Sequence, residues 1–368
     1  MYMDYAKYTG DTQFLDVVTG ALVNTSYGAE QDLLGGSMSS TAATLLGRWN
    51  DDILWHTIGG AEIYGADSIM PGAKGPWIKL AQKTFDQTYQ QWDDGCGGGI
   101  YWSRDRNGNS APFKSLITQL EFVQQGARNY LETKNETAIA ISKTALDWVF
   151  SSGLGNIQTG TLYDGMNVGE CGKFTSHFWS YNYGSLLGAL SWMHKATGNN
   201  TYLDLITPFY THASEVFSDK YNNVITETCE PNVKCNRDQQ GFKAVYVRNL
   251  AYTYREITAD NTKNQIKTVI DASVAAMVAN SSALLVAALG VHLSPEGGLL
   301  PKITAGQLVD TTNGAAGLGS GGTKNPGKIV SKPLSAASDL HVTFSTLFFG
   351  IILSAIATSS FSPFDILP

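Results

Sequence analysis

Two adjacent aspartates, Asp51 and Asp52, lie between two tryptophans in the stretch WNDDILWH at residues 49–56. The segment that follows is apolar round most of a helix circumference, which predicts a helix inside the protein. Burying two carboxylates is costly unless they are used in chemistry. A simpler interpretation is a helix start, with Asn50 as the N-cap and two acids in the first turn.

Cleavage of a glycosidic bond gives such a pair a use. Retaining glycosidases place two carboxyl groups about 5 to 5.5 Å apart, one ionised to attack the anomeric carbon and one protonated to release the leaving oxygen. Neighbouring helix residues diverge by about 100°, so Asp51 and Asp52 can flank a bound sugar. Their mutual repulsion is expected to raise the pKa of one of them.

Aromatic residues follow the acids at intervals, and flat rings pack against the C–H faces of sugars. Most such rings in a helical protein belong to the core, yet they are the candidates for sugar contacts: Trp55, Tyr101, Trp102, Tyr163, Trp179, Tyr181 and Tyr183. Polar candidates lie beside them, although each is more often a loop or capping residue: Asn182, Asp164, Asp238, Lys243 and Arg248. The histidines have no metal-ligand spacing, and we predict neither a metal site nor a cofactor.

The acids and aromatics must be positioned by a repeated unit of about 62 residues. The motif YTGDTQFL at 8–15 recurs at 132–139, 196–203 and 257–266, and in looser form at 71–80. Each copy is typical of one helix ending in a tight turn and another beginning at an Asp or Asn cap. Residues 115–132 show the apolar spacing of one helix face.

A second set of short extended segments runs out of phase with the turns, at 98–103, 160–165 and 223–228. Each is predicted to be a small strand or β-turn. Repeated helical hairpins joined by such loops predict an all-α fold, an (α/α)6 barrel or six-hairpin toroid, with the long loops at its mouth. A stacked helical solenoid is the alternative.

Composition favours a secreted or wall-associated protein. Charged residues are only 15% of the 368, the formal net charge is −7, and the chain has no basic block, so a nucleic-acid partner is not expected. The four cysteines fit two disulfides: Cys229 and Cys235 can close one loop, which leaves Cys96 and Cys171. Four Asn-x-Ser/Thr sequons agree with secretion: Asn24, Asn135, Asn199 and Asn280.

The two ends of the chain give opposite signals. The N-terminus has no apolar run of the kind found in signal peptides. Residues 342–368 form an apolar tail after a Gly/Ser/Lys/Pro-rich spacer at 301–341, which is typical of a signal for a glycosylphosphatidylinositol (GPI) anchor; a tail-anchored helix is the alternative. We therefore predict a catalytic domain over 1–300, entry into the secretory pathway, and a location at the outer plasma membrane or cell wall.

Several of these motifs occur in the order of a known family. The NDD triplet, GGAEIYG, CGGGIYWS, YDG, WSYNYG and CNRDQQGFKAVYVRNLA together resemble the fungal mannan endo-1,6-α-mannosidases of glycoside hydrolase family 76, over about residues 1–280. The resemblance implies an (α/α)6 barrel and a retaining mechanism, with Asp51 as nucleophile and Asp52 as general acid/base. A first helix and part of the final helical pair are expected to be absent relative to that family.

The implied substrate is α-1,6-mannan or the glycan of a GPI protein, with β-glucan as a possible acceptor for transfer and with the protein as a monomer. The substrate contacts expected from the motifs are Trp55, Tyr101, Trp102, Tyr181, Asn182, Asp238 and Lys243. Two alternatives stay open. One is a mannan-binding protein without catalysis, and the other is a six-hairpin enzyme of different specificity, such as a lyase, which the lack of basic residues near the aspartates disfavours.

Overall fold

The fold is known from a computed structural model that describes residues 4, 6, 10–18, 49–57, 77–106 and 112–289. The predicted spacer, the apolar tail and Asn24 lie outside these residues. None of the described helices is both long enough and apolar enough to cross a lipid bilayer.

Helices form most of the described chain. We number them α1 to α9: Asn50–Thr57, Trp77–Tyr89, Leu116–Thr133, Glu136–Ser151, Ser180–Thr197, Thr201–Asp204, Ile206–Phe217, Arg237–Glu256 and Asp260–Leu289. Four short strands lie between α2 and α5: β1 Phe113–Ser115, β2 Gly155–Asn156, β3 Thr161–Leu162 and β4 Gly165–Asn167. β1 pairs with β4 and β2 with β3, both antiparallel.

The helices alternate between an inner and an outer layer. Helices α1, α3, α5 and α8 pack against one another in sequence, and the intervening helices α2, α4, α7 and α9 each pack against an inner neighbour. Helix α3 is buried on every side from Leu116 to Asn129, so the single apolar face expected for it is wrong. Outer helices such as α4 bury only one side, as their periodicity requires. The chain is an α/α toroid, as the sequence predicts.

Tight turns follow the inner helices α3, α5 and α8. Helix α3 is followed by its C-cap residue Lys134, which has a left-handed φ of 56°. Asn135 then caps α4 by accepting a hydrogen bond from the backbone N–H of Thr137. Helix α5 ends at Gly198 with φ of 69°. These positions confirm the repeated turn motif. They also place the exposed sequon residues Asn135 and Asn199 at the turn end of the ring.

Longer loops return the chain to the opposite end, which we call the mouth, where each inner helix begins. The strands lie in these loops, and residues 98–103 form isolated bridges there. Residues 160–165 include β3, whereas 223–228 contain no strand and run between turn positions at Asn223 and Thr228, so the strand alternative applies to two of the three segments. Disulfides join Cys96 to Cys171 and Cys229 to Cys235, the pairing favoured by the sequence.

Inner helices α5 and α8 approach closely at glycine. A Cβ atom on Gly184 would lie 2.6 Å from the backbone Cα of Tyr246, and one on Gly188 would lie 1.9 Å from the Asn249 side chain. Backbone atoms cannot move away as the end of a flexible side chain can. The close spacing of these two helices therefore depends on the absence of a Cβ atom at Gly184.

We expect Gly184→Ala to destabilise the protein by roughly 1–3 kcal/mol or more, because two inner helices must separate to admit the methyl group. Gly241→Ala is the matched control, since Gly241 lies exposed in α8 with open space around it and should gain up to about 1 kcal/mol of helix propensity. Chemical denaturation measures both. Equal stability of the two variants would contradict the close approach of α5 and α8.

Candidate active site

The two aspartates lie in the first turn of α1, at the mouth of the ring. Both side chains are partly buried, and Trp55 follows Asp51 by one turn on the same helix face. Asn50, the first residue of the helix, is fully buried. Its side chain donates to the carbonyl oxygen of Tyr101 at 2.7 Å rather than capping the helix. The simple N-cap interpretation is therefore wrong for Asn50.

Asp51 is enclosed by protein. Its Oδ2 accepts a hydrogen bond from the indole Nε1 of Trp102 at 3.1 Å, and no described residue donates to its Oδ1, which is shielded from solvent. Burial raises the pKa of Asp51 to about 6, partly offset by the Trp102 hydrogen bond and reinforced by the nearby negative charge of Asp164. Asp51 thus changes charge close to neutral pH, which an ordinary aspartate does not.

A third acid, Asp164, lies in the loop before α5. Its Oδ1 accepts hydrogen bonds from the Tyr181 hydroxyl at 3.1 Å and from Asn182 Nδ2 at 2.8 Å. Burial raises the pKa of Asp164, and these two donors limit the rise. The structure therefore brings together two predicted site residues, Tyr181 and Asn182, around an acid that interacts electrostatically with Asp51.

Behind Asp51, toward the turn end of the ring, lies a buried charged network. Glu121 of α3 is almost fully buried, and its Oε2 has no hydrogen-bond partner among the described residues. Burial holds the pKa of Glu121 well above its usual range; the charge of Arg248 opposes this and that of Asp51 adds to it. Arg248 in turn lies 3.3 Å from Asp4, which also accepts from the Tyr252 hydroxyl at 2.8 Å.

Aromatic rings border the acids on two sides. The Trp102 ring lies 5.5 Å from that of Trp49, measured between centroids. On the other side, Tyr181 stacks on Phe242 at 4.2 Å, and Trp179 meets the same phenylalanine edge-on at 5.4 Å. Rings arranged in this way offer apolar faces next to carboxylates, which is the combination that carbohydrate binding requires.

Two of the aromatic candidates have rings that are buried by protein. The Tyr101 ring is buried, with the Arg106 guanidinium 3.0 Å from its centroid and Lys114 Nζ at 5.0 Å, so one of its faces is covered. Tyr183 is fully buried in the core, where its hydroxyl bonds to His212 Nδ1 at 2.8 Å. Tyr183 therefore lies at the mouth end, in the first turn of α5, but its ring is enclosed by protein and is not available to a sugar in the way that the sequence predicts.

The remaining predicted residues lie at the start of α8. Asp238 is partly buried in the first turn of that helix. Lys243 forms an ion pair with Glu230 at 2.5 Å, and the backbone N–H of Glu227 donates to the same glutamate. Glu227 is itself fully buried and accepts from the backbone N–H of Ser180 at 3.2 Å; burial raises its pKa to about 7. Lys243 is thus engaged with protein acids rather than with Asp51.

Three buried charged residues were not predicted from the sequence. Glu121 lies within α3, and Glu227 and Arg104 lie in loops near the starts of inner helices. In α3 the signal was available, because Glu121 lies among several polar residues of a helix otherwise rich in apolar side chains. Among the described residues, no group of three or more His, Cys, Asp or Glu side chains is arranged to hold a metal ion.

Comparison with known proteins gives a consistent set of relatives. The family model for glycosyl hydrolase family 76 matches residues 1–287. The mannan endo-1,6-alpha-mannosidase DCW1 of Saccharomyces cerevisiae is 27% identical over 287 residues, covering 76% of this chain and 61% of that protein. DFG5 of the same yeast, also a mannan endo-1,6-alpha-mannosidase, is 29% identical over 210 residues, covering 55% and 46%. The chain therefore spans about half to three fifths of these relatives.

Solved structures share the fold. Dfg5 from Chaetomium thermophilum, in complex with glucosamine, has a TM-score of 0.65 at 24% identity and covers 75% of this chain and 66% of its own. The GH76A α-1,6-mannanase of a Salegentibacter species has a TM-score of 0.58 at 19% identity, covering 74% and 73%.

We expect Asp51→Asn to stabilise the folded protein at pH 7. The pKa of Asp51 in the folded state, about 6, lies above the reference value of 3.8. The folded chain therefore holds the extra proton between these values, and the free energy of unfolding falls as pH rises through that window. Removing the ionisable group should gain up to about 3 kcal/mol at pH 7 and little at pH 4.

Denaturant unfolding at the two pH values measures this difference. Asp147→Asn is the control, because Asp147 is exposed and paired with Lys143, and it should change stability by less than about 1 kcal/mol. A gain for Asp51→Asn that does not depend on pH would show that Asp51 has an ordinary pKa.

Proposed function

The chain belongs to glycosyl hydrolase family 76, and from that premise we propose that it is a retaining, endo-acting α-1,6-mannosidase or transglycosidase. In this proposal Asp51 is the nucleophile and Asp52 the general acid/base. The observation that carries it is the enclosure of Asp51 at the mouth of the ring, beside a second carboxyl group and between aromatic rings. The lectin alternative requires the aromatics but gives no reason to bury Asp51.

The nucleophile must be ionised and must point at the anomeric carbon. The Trp102 indole holds Oδ2 of Asp51. We assign the attack to Oδ1, which accepts no hydrogen bond from a described residue but is shielded by protein and must become exposed to the sugar when substrate binds. As the sugar binds and water leaves, positive charge develops at the anomeric centre and favours the ionised form of Asp51. Attack forms a glycosyl-enzyme bond between that carbon and the Asp51 carboxylate.

The acid/base must deliver a proton to the leaving oxygen and later remove one from the incoming hydroxyl. Asp52 follows Asp51 directly in α1, so its side chain leaves the helix about 100° away. It can therefore reach the glycosidic oxygen while Asp51 reaches the anomeric carbon. In the second step water gives hydrolysis, and a sugar hydroxyl gives transfer.

Relatives support the substrate class. Those matched in yeast are mannan endo-1,6-alpha-mannosidases, and an inactive variant of the Salegentibacter mannanase with two consecutive aspartates replaced by asparagine is in complex with α-1,6-mannotriose. For this chain we propose α-1,6-mannan or a GPI glycan as donor and a β-glucan as possible acceptor. Trp102, Tyr181 and Asn182 are the contacts that the described geometry favours.

The setting we propose is fungal cell-wall biogenesis, with the protein as a GPI-anchored, glycosylated monomer at the outer plasma membrane or wall. Two disulfides agree with passage through an oxidising compartment. The proposed anchor signal lies at 342–368, outside the described residues.

We expect both Asp51→Asn and Asp52→Asn to lose activity on α-1,6-mannan, by roughly 10²–10⁴-fold for the acid/base variant. An aryl α-1,6-mannobioside with a 4-nitrophenolate leaving group separates the roles, because that group departs without a proton. Asp52→Asn should then release a burst of nitrophenolate and accumulate the glycosyl-enzyme, which intact-protein mass spectrometry detects. Asp51→Asn should show neither.

Full activity of both variants would refute the proposal. Binding of mannan by the wild-type protein without any cleaved or transferred product would instead indicate a binding protein. The matched control is Asp147→Asn, on the outer surface of α4.

We expect kcat/KM to rise with pH through about 6, since Asp51 must lose its proton before it can attack. With Asp51 as the nucleophile, kcat/KM must increase with pH, and the midpoint of that increase must lie near the pKa of Asp51. A profile that instead falls through pH 6 would make Asp51 the proton donor and reverse the two roles.

A further inference from the structure

Arg104 has no described carboxylate partner, yet it is fully buried. Of all fully buried side chains it is among the largest. Its Nη1 donates to Asn50 Oδ1 at 2.6 Å and to the carbonyl oxygen of Gln87 at 3.1 Å. Its Nε and Nη2 have no hydrogen-bond partner among the described residues. Burial lowers the pKa of Arg104 to about 10, so the guanidinium still carries its charge at neutral pH.

An unpaired buried cation is expensive, and an apolar side chain of similar length would fill the space at lower cost. What the guanidinium supplies is a set of donors without an acceptor. It therefore obliges Asn50 to turn its amide oxygen toward Arg104. The amide N–H of Asn50 then points the other way, to the carbonyl oxygen of Tyr101 at 2.7 Å.

Further links join the same two segments. The backbone N–H of Asn50 donates to the Trp102 carbonyl at 2.9 Å, and Trp49 forms a β-bridge with Ser103. One residue further along, Trp102 Nε1 donates to Asp51 Oδ2. Residues 49–51 and 101–104 thus form one tied unit, which we call the clamp. The Gln87 contact fastens the clamp to the last turn of α2.

We propose that Arg104 is a positioning residue: acting through Asn50, it fixes the direction in which Asp51 and Asp52 leave the first turn of α1. The inference rests on the proposed function for its kinetic consequence. Its structural core, the orientation of Asp51 against Trp102, is testable without any substrate.

The first test uses the Trp102 indole N–H as a reporter. In a ¹⁵N-labelled protein its NMR signal, assigned by Trp102→Phe, should titrate with Asp51, whose pKa is about 6 with Asp164, Glu121 and Tyr181 as the facing titratable groups. In Arg104→Met we expect the signal to lose this titration or move its midpoint below 5, because Asp51 gains solvent. An unchanged titration would overturn the proposal.

Lys114→Met is the matched control. Lys114 is also fully buried and cationic, and its Nζ donates to the carbonyl oxygens of Asp93, Gly95 and Gly98, each at 2.7 Å, without touching Asn50. Unlike Arg104, which has no described carboxylate partner, it also forms an ion pair, with Asp93 Oδ1 at 3.2 Å. Both substitutions remove a buried cation and leave carbonyls unpaired, so both should lower the melting temperature. The Trp102 titration should change in the Arg104 variant alone. The same change in Lys114→Met would show that the effect of Arg104→Met comes from lost stability and not from lost positioning of Asn50.

The second test is kinetic, on an α-1,6-mannooligosaccharide well below the lowest melting temperature. We expect Arg104→Met to lower kcat by 10- to 100-fold with KM within threefold, because a displacement of about 1 Å costs up to that much. Arg104→Lys, which keeps one donor for Asn50, should recover to within tenfold of wild type. A kcat within twofold of wild type for Arg104→Met would contradict positioning.

A double-mutant cycle tests the route through Asn50. If Arg104 acts through that side chain, Asn50→Ala and the double variant should have the same kcat as Arg104→Met, within twofold. If the fold losses of kcat in the two single variants multiply in the double variant, the two residues act separately, and the proposed route through Asn50 would be overturned. If wild type proves inactive on mannan while the Trp102 titration behaves as expected, the proposed function fails and the clamp stands.

Discussion

Desolvation of Asp51 is the constraint around which the mouth of the ring is organised. A carboxylate that loses much of its water either keeps a proton or finds fixed donors. For Asp51 the Trp102 indole and the backbone N–H groups of the first turn only partly offset burial, and its pKa is about 6. The negative charge of Asp164 nearby disfavours ionisation of Asp51 further, so the ionised form of Asp51 is electrostatically unfavourable in the free protein. In the function that we propose, a cationic transition state would relieve this unfavourable energy, so the same interactions that weaken the fold would favour the reaction.

The directions of the inner helices of the toroid help to stabilise these acids. Inner helices α1, α3, α5 and α8 all begin at the mouth, so their N-terminal partial positive charges converge where the acids lie. Glu227 shows the effect directly, because it accepts the free backbone N–H of Ser180 at the start of α5. Farther down the ring, Arg248 and Asp4 pair with each other, so neither of these two charges is buried alone.

The sequence predicts the architecture well and the electrostatics poorly. Lys134-Asn135 and Gly198 identify their turns because capping and left-handed geometry are local properties of the chain. Asp51 and Asp52 stand out because their neighbours are apolar. Tyr183, in contrast, cannot be told by residue type from a ring that is available to a sugar, and its burial depends on packing against His212.

The least predictable residues are those whose partners are remote in sequence. Arg104 meets Asn50 across 54 residues and Tyr252 meets Asp4 across 248, separations at which no local pattern survives. Helix α3 illustrates the same limit: its glutamines and Glu121 are typical of a solvated face, yet they are buried because an inner helix has neighbours on every side.

The Cys96–Cys171 link joins two mouth loops that are 75 residues apart in the chain, whereas Cys229–Cys235 closes a loop of 6. By loop-closure entropy the long link restricts the denatured chain by about 4 kcal/mol and the short one by about 2. During biosynthesis Cys171 emerges much later than Cys96, so Cys96 must stay reduced until inner helices α1 and α3 have been synthesised, while α5 and α8 are still to come. Maturation of the mouth is therefore tied to the thiol–disulfide exchange machinery of the compartment in which the chain folds.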